Sequence, residues 1–389
     1  MKYIMLIAAL ALLVGATFVL AGNGVAPVTP RATTSVSFAK AITLNSPVLY
    51  PKSLAAGDVN HDGIPDLAVV GDEEPALLHA LGKGDGHFGH WSHKGGTGDA
   101  PNFVLFADMD LDGNLDAITT DDRQSFLVVA FGDGKGNFNR GGAVHTHFGY
   151  ATIQVAVADL NGDGIPDIVG TSPGRIFVFL GAGNRRFRKP IHFSSGGRQT
   201  FGIAVGDLNH DGIPDLAVAN WGGNLAVLLG KGDGTFDKPV TYYGGIHPTE
   251  LVLADLNGDG NLDVSVAGDV DVRVFLGKGD GTLSSPQIYH PGKYPDWIVS
   301  ADFNGDGIPD LAVSNYTNPK PCHVSVLLGN GDGTFQPPVE FRVGISPAQL
   351  VVADFNHDGK PDIATINGGS STISILLNTT QFLVPLHPH

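Results

Sequence analysis

Cysteine occurs once in 389 residues, at Cys322, and a single thiol excludes any internal disulfide framework. It also excludes a lipid-modified cysteine near the N-terminus. Tryptophan and methionine are scarce as well, three of each. Charged residues make up only 16% of the chain, and cations are the minority, 23 Lys and Arg against 39 Asp and Glu, for a net charge of −16. Without a basic stripe or a nucleic-acid motif, the chain has no electrostatic footprint for a nucleic-acid partner. Also missing are G-x-S-x-G, H-E-x-x-H and any suggestive acid pair outside the loops described next, so no catalytic residue is named.

What the chain has in plenty is glycine, 54 residues, and aspartate at fixed spacing. The pattern D-x-[ND]-x-D-G-x-x-D occurs seven times, in steps of 47 to 52 residues. The candidate ligands are Asp58, Asn60, Asp62 and Asp66, then Asp108, Asp110, Asp112 and Asp116, then Asp159, Asn161, Asp163 and Asp167. Asp207, Asn209, Asp211 and Asp215 follow, then Asp255, Asn257, Asp259 and Asp263, then Asp302, Asn304, Asp306 and Asp310, and last Asp354, Asn356, Asp358 and Asp362. Position seven adds a backbone carbonyl at Ile64, Asn114, Ile165, Ile213, Asn261, Ile308 or Lys360. Carboxylates so crowded repel one another unless a hard cation sits among them, and six to eight oxygens in a flexible shell suit Ca²⁺. About seven calcium ions are therefore expected. The acidic balance agrees, since 22 of the 39 acids are loop ligands and the remaining chain is net cationic.

The loop differs from an EF-hand, which closes with Glu at position twelve and runs on into a helix. Here the closing carboxylate is at position nine, and an apolar, β-prone run follows at once, as in Leu67-Ala68-Val69-Val70. A third run ends in Leu-Gly or Phe-Gly, followed by a Gly-Asp-Gly-x-Phe turn such as Gly232 to Phe236. Four short strands in about 49 residues, repeated around a ring, describe an all-β, seven-bladed β-propeller with four-stranded antiparallel blades. The seventh repeat lacks its fourth strand, while residues 37–43 match 235–241 position by position. The N-terminal strand is thus expected to complete the last blade and close the ring.

These residues resemble the FG-GAP or VCBS repeat family, which includes the calcium-binding propeller of integrin α-subunit heads and related bacterial and lectin-like propellers. The resemblance covers roughly residues 35–378 and implies the fold and the metal, not a particular ligand. Two departures stand out: the third repeat reads Gly181-Ala182-Gly183-Asn184-Arg185-Arg186-Phe187, and the fifth has Leu283 where Phe is usual.

Residues 1–21 read as a signal peptide or, if retained, an N-terminal membrane anchor, with residues 22–34 a linker and 379–389 a flexible C-terminal tail. The propeller spans 35–378. Secretion, to the periplasm or cell surface, is expected, and calcium is plentiful there. The face opposite the calcium loops collects Trp221, Trp297 and Tyr316 as ligand-face candidates, with Asp72, Glu73, Glu74, Asp121, Asp122, Arg123, Arg198, His247, Tyr294 and Asn315 around them. Exposed aromatics beside polar groups suit a sugar or a protein partner. The expected function is an extracytoplasmic binding or adhesion module for protein or glycan. The alternatives are a polysaccharide-active lyase or hydrolase and a purely structural or assembly propeller.

Overall fold

The computed structural model describes residues 35–71, 74–96, 100–121, 126–145, 153–316 and 322–382. Residues 1–34 and 383–389, which hold the signal segment, the linker and most of the tail, lie outside the described residues, as do Asp72, Glu73, Asp122 and Arg123. The strands form seven four-stranded antiparallel sheets. In the first, Pro51–Gly57 pairs with Asp66–Gly71, which pairs with Glu74–Ala80, which pairs with Ser92–Gly96. Each loop-preceding strand touches its counterparts in the two neighbouring sheets, so these strands form the inner wall of a closed ring. The protein is a seven-bladed β-propeller.

Burial explains why the blades need one another. The second strand of every blade, from Asp66–Gly71 to Asp362–Asn367, is buried along its whole length. Both faces of a blade are apolar, and the core divides into clusters that each join two successive blades. Leu216, Val218 and Leu228 of blade four pack with Val169, Val178 and Leu180 of blade three in one such cluster. A wedge aromatic recurs at the start of the outer strand. Phe236 sets its edge against Phe193 of the preceding blade, 5.5 Å between centroids, and Phe335 does the same to Tyr289 at 5.5 Å. Burying one such ring contributes about 1.5–3 kcal/mol.

Closure follows the expected route. Blade seven is ordered Ile42–Asn45, Thr372–Leu376, Asp362–Asn367, Pro347–Ala353, so its outer strand comes from the beginning of the chain. Phe38 bridges Asn378 and packs edge-on against Phe341 of blade six at 4.9 Å, the wedge position filled in sequence-distant form. The structure extends this closure beyond the boundary read from the sequence. Residues 379–382 pack onto the ring: the Ser37 amide donates to Thr380 Oγ1 at 3.0 Å, the Thr379 amide to the Ser37 carbonyl at 2.8 Å, and Thr380 is buried. That stretch is therefore part of the closure and not of a flexible tail.

The axis is lined by the residues five places before the loops, with a side chain in six blades and Gly202 in the fourth. Gln349 Oε1 accepts the Leu54 amide of the next blade at 2.9 Å, Ser53 Oγ accepts Val104 at 3.0 Å, and Gln154 Oε1 accepts Ile203 at 3.2 Å. These bonds satisfy inner-edge amides that no further strand could reach. Across the axis, Gln154 Nε2 donates to Glu250 Oε1 at 3.2 Å, and Trp297 stacks on Phe103 at 6.3 Å. Burial pushes the Glu250 carboxyl up to about 8, only partly offset by the Gln154 bond.

Deleting residues 35–45 is expected to expose the strand Thr372–Leu376 as a free edge and to shift the protein from monomer to aggregate on size-exclusion chromatography. Deleting 379–389, which a frayed tail would tolerate, should lower the melting temperature by several degrees, because the Ser37–Thr380 bonds go with it.

Candidate functional site

Each carboxylate loop joins the first and second strands of its blade, so all seven open on one face of the ring. The loops share one internal geometry. The first Asp accepts the position-six glycine amide through Oδ2 at 2.7–2.9 Å in all seven. The position-five Asp accepts the position-seven amide through Oδ1 at 2.8–3.1 Å, which turns that residue's carbonyl the other way. Such a turn needs φ of +78° to +89° at position six, and glycine occupies it each time.

The closing Asp is the structural pivot. Its Oδ2 accepts the position-two amide at 2.8–3.0 Å. Its Oδ1 accepts, at 2.6–2.8 Å, an amide at the end of the third strand: Gly82, Gly132, Gly181, Gly230, Gly277, Gly329 or Asn378. All seven closers are fully buried. Burial, only partly offset by the two amides, pushes the protein-only carboxyls up to about 6 at Asp66, Asp167 and Asp215. Asp116, Asp263 and Asp362 reach about 7, and Asp310 about 8. Neighbouring loop acids add to the shift, those at positions five and one in six loops and Asp110 and Asp108, at positions three and one, for Asp116. A divalent cation held among them would offset this penalty by supplying countercharge.

The second loop shows the fit to a cation most directly. Asp108, Asp110 and Asp116 each bring a carboxylate oxygen within 4.8 Å of the others. Asp110 is the one position-three acid among seven loops. Its Oδ1 is buried without a hydrogen-bond partner, in a side chain only 9% exposed. A donor set made only of carboxylate, amide and carbonyl oxygens suits a hard divalent ion and not a thiophilic one. His87, His90 and His93 are exposed, and His87 pairs with Asp85 at 3.4 Å.

Contacts between neighbouring loops were not read from the sequence. His61 Nε2 meets Asn114 Oδ1 at 2.8 Å, and His210 Nε2 meets Asn261 Oδ1 at 2.7 Å. Arg185, from the deviant hairpin of blade three, reaches back to Asp110 at 2.6 Å. The available signal was pairing of departures: Asn stands at position seven only where the preceding repeat has His at position four, and the extra acid Asp110 precedes the extra arginine.

On the opposite face, the three expected ligand residues part company. The Trp221 indole lies parallel to the His247 imidazole, 4.2 Å apart and 5° from coplanar, with Phe201 tilted against it at 5.3 Å. His247 Nδ1 is held by Asp269 Oδ2 at 2.7 Å. Tyr316 is half exposed beside exposed Tyr294, whose carbonyl accepts the Tyr316 amide at 2.8 Å. Trp297 instead turns into the axis against Phe103. Arg198 is exposed, whereas two more candidates are structural. Buried Asp121 accepts the Ala100 amide at 3.1 Å, and buried Asn315 donates to Ser325 Oγ at 2.9 Å.

With seven blades and seven acidic first loops, the class is that of repeat propellers built on carboxylate loops. The FG-GAP-like repeat profile matches residues 58–119, 110–170, 159–218, 207–266, 255–313 and 302–365, and the chain belongs to that family. No curated protein matches it. Among solved structures, an Agrocybe aegerita lectin that recognises non-reducing terminal N-acetylglucosamine is similar over 84% of this chain and 94% of its own, with TM-score 0.55 and 19% identity. BBS1N, crystallised in complex with ARL6DN, is similar over 89% of this chain and 99% of its own, with TM-score 0.62 and 16% identity. At these identities the likeness concerns the fold.

The raised closers give a pH dependence with a definite sign. Their ordinary value is 3.8 and their folded values are about 6 to 8, so their contribution is present in acid and lost as pH rises through that window. Metal-stripped protein is therefore expected to melt at progressively lower temperature from pH 5 to pH 8.5. A flat profile in chelator, followed by differential scanning calorimetry, would contradict the assignment.

Proposed function

We propose that this protein is an exported, calcium-loaded propeller whose face opposite the loops binds a protein or glycan partner. The observation that carries the reading is the division of labour between faces. One carries the seven oxygen-only carboxylate loops, while the other presents Trp221 with His247 and Asp269 and, two blades on, Tyr294 and Tyr316. Asp58, Asn60, Asp62 and Asp66 and their counterparts would hold calcium, which supplies countercharge and fixes the loops. Propellers of this fold serve both partner classes, as the N-acetylglucosamine-recognising lectin and BBS1N in its complex with ARL6DN illustrate. The apolar segment in residues 4–20 supports export, and its retention would tether the ring to a membrane.

A glycan array and a proteomic pull-down with the mature protein, each with and without calcium, test the reading. Trp221→Ala or Tyr316→Ala is expected to weaken a hit about five- to thirtyfold while the melting temperature holds, since stacking on an aromatic contributes about 1–2 kcal/mol. Asp215→Ala should lower stability and leave affinity in the folded fraction nearly unchanged. Chelation should lower the melting temperature, reversed by Ca²⁺ and poorly by Mg²⁺, whose small octahedral shell fits the loop badly. Calorimetry showing one transition with and without chelator would end the calcium assignment.

A further inference from the structure

Blade three departs from the repeat at one hairpin position, and blade two departs at the two positions that meet it. Five blades place glycine there, at φ of +76° to +80° (Gly86, Gly136, Gly234, Gly281 and Gly333), whereas blade three carries Arg185 at φ +61°. A long side chain in the left-handed region is strained, and such strain persists where the surroundings hold it. The residue that ends the third strand, just before the hairpin, is Leu in six blades and Phe131 in blade two. The Arg185 guanidinium lies 4.3 Å over that ring. Its Nε donates to Asp110 Oδ2 at 2.6 Å, and its Nη2 stands 3.9 Å from Asp112 Oδ2.

Asp110 differs from its six counterparts in what it bonds. In the other loops position three is Asn, and its Oδ1 accepts the position-five amide at 2.9–3.1 Å. In four of them the same Asn also donates from Nδ2 to the position-five carboxylate at 2.8–3.0 Å. Those side chains are engaged within their own loops. In the second loop the Asp112 amide goes to Asp108 Oδ1 at 3.1 Å, and Asp110 Oδ1 is buried with no hydrogen-bond partner. Asp110 joins Asp108 and Asp116, each bringing a carboxylate oxygen within 4.8 Å of the others. Among the described residues no other three acids or histidines converge so closely.

Building on the reading of the loops as calcium sites, we propose that they are unequal. The second is a preformed site that takes Ca²⁺ ahead of the other six, with Arg185 of blade three as its positioning residue. It has four acids where every other loop has three, and its position-three oxygen breaks no internal hydrogen bond to meet a cation. A site already in its bound arrangement avoids the ordering cost that the others meet. Arg185 holds Asp110 by Oδ2 and leaves Oδ1 for the ion. Its charge opposes that of the ion, but the side chain is half exposed and screened by water, while the carboxylate it holds stays fixed. Loading this loop also ties blade two to blade three, because the anchor comes from the next blade.

Competition for Ca²⁺ between the metal-stripped full chain and a chromophoric chelator tests this. One ion is expected to bind at least tenfold tighter than the rest. Asp110→Asn and Arg185→Gly should each move that ion into the weaker class without changing the total bound. Both variants install the residue that most other repeats carry at that position, so the ring should still fold. In the Asp110→Asn background, Arg185→Gly should change the affinity no further, a coupling that a purely structural arginine would not show. Asn209→Asp adds a fourth acid to the fourth loop with no arginine to hold it, and a single tight ion should remain. Equivalent sites throughout, an equal or tighter first ion in Arg185→Gly, or a second tight ion in Asn209→Asp would overturn the proposal. Equivalent sites would leave the calcium reading standing, whereas no Ca²⁺ binding at all would end both.

Discussion

The buried carboxylate at position nine is the interaction on which every blade depends. One oxygen holds the beginning of its own loop, and the other holds the end of the third strand, so a single side chain ties two of the three connections of a blade at one point. Placing an acid there is costly, as the raised carboxyls of Asp116 and Asp310 record. The cost is accepted seven times because no neutral side chain offers two acceptors in that span. It also makes each blade electrostatically costly on its own, because further acids stand around the closer at positions one and five.

Packing between blades is the second constraint. A blade is apolar on both faces, so stability comes from interfaces, and an open ring would leave two unmatched. Sealing the ring with the beginning of the chain resolves this in two ways: Ile42–Asn45 completes the sheet of blade seven, and Phe38 supplies the wedge against blade six. Axial side chains then bind inner-edge amides across three blade boundaries, and Gln154 meets Glu250 and Phe103 meets Trp297 across the axis.

Against so regular a scaffold, departures from the repeat mark the places where one blade has been given something of its own. Asp110 and Arg185 depart together and meet. His61 and His210 occur before the two loops with Asn at position seven, and each reaches that Asn. Leu283 and Arg273 depart together and line one cleft. In each case a change in one blade is answered in the same blade or the next, the reach of a side chain across one interface.

The carboxylate loops, the strands beside them, the number of blades and the exchange that closes the ring were all determined by the sequence itself. Each is a local pattern, or a local pattern missing at one end of the chain and present at the other, and local backbone chemistry follows from neighbours within about a dozen residues. Tertiary structure alone decided which side chains meet across the ring. Trp297 and Trp221 look equivalent as exposed aromatics near strand ends, yet the strand carrying Trp297 turns it inward onto Phe103, four blades earlier in the chain, while Trp221 follows its strand and lies on His247. Residues 379–382 likewise carry no strand pattern, and only the nearness of Ser37 makes them part of the ring. Such contacts depend on the angle and spacing between blades, which arise from the sum of many interface side chains and are written at no single position.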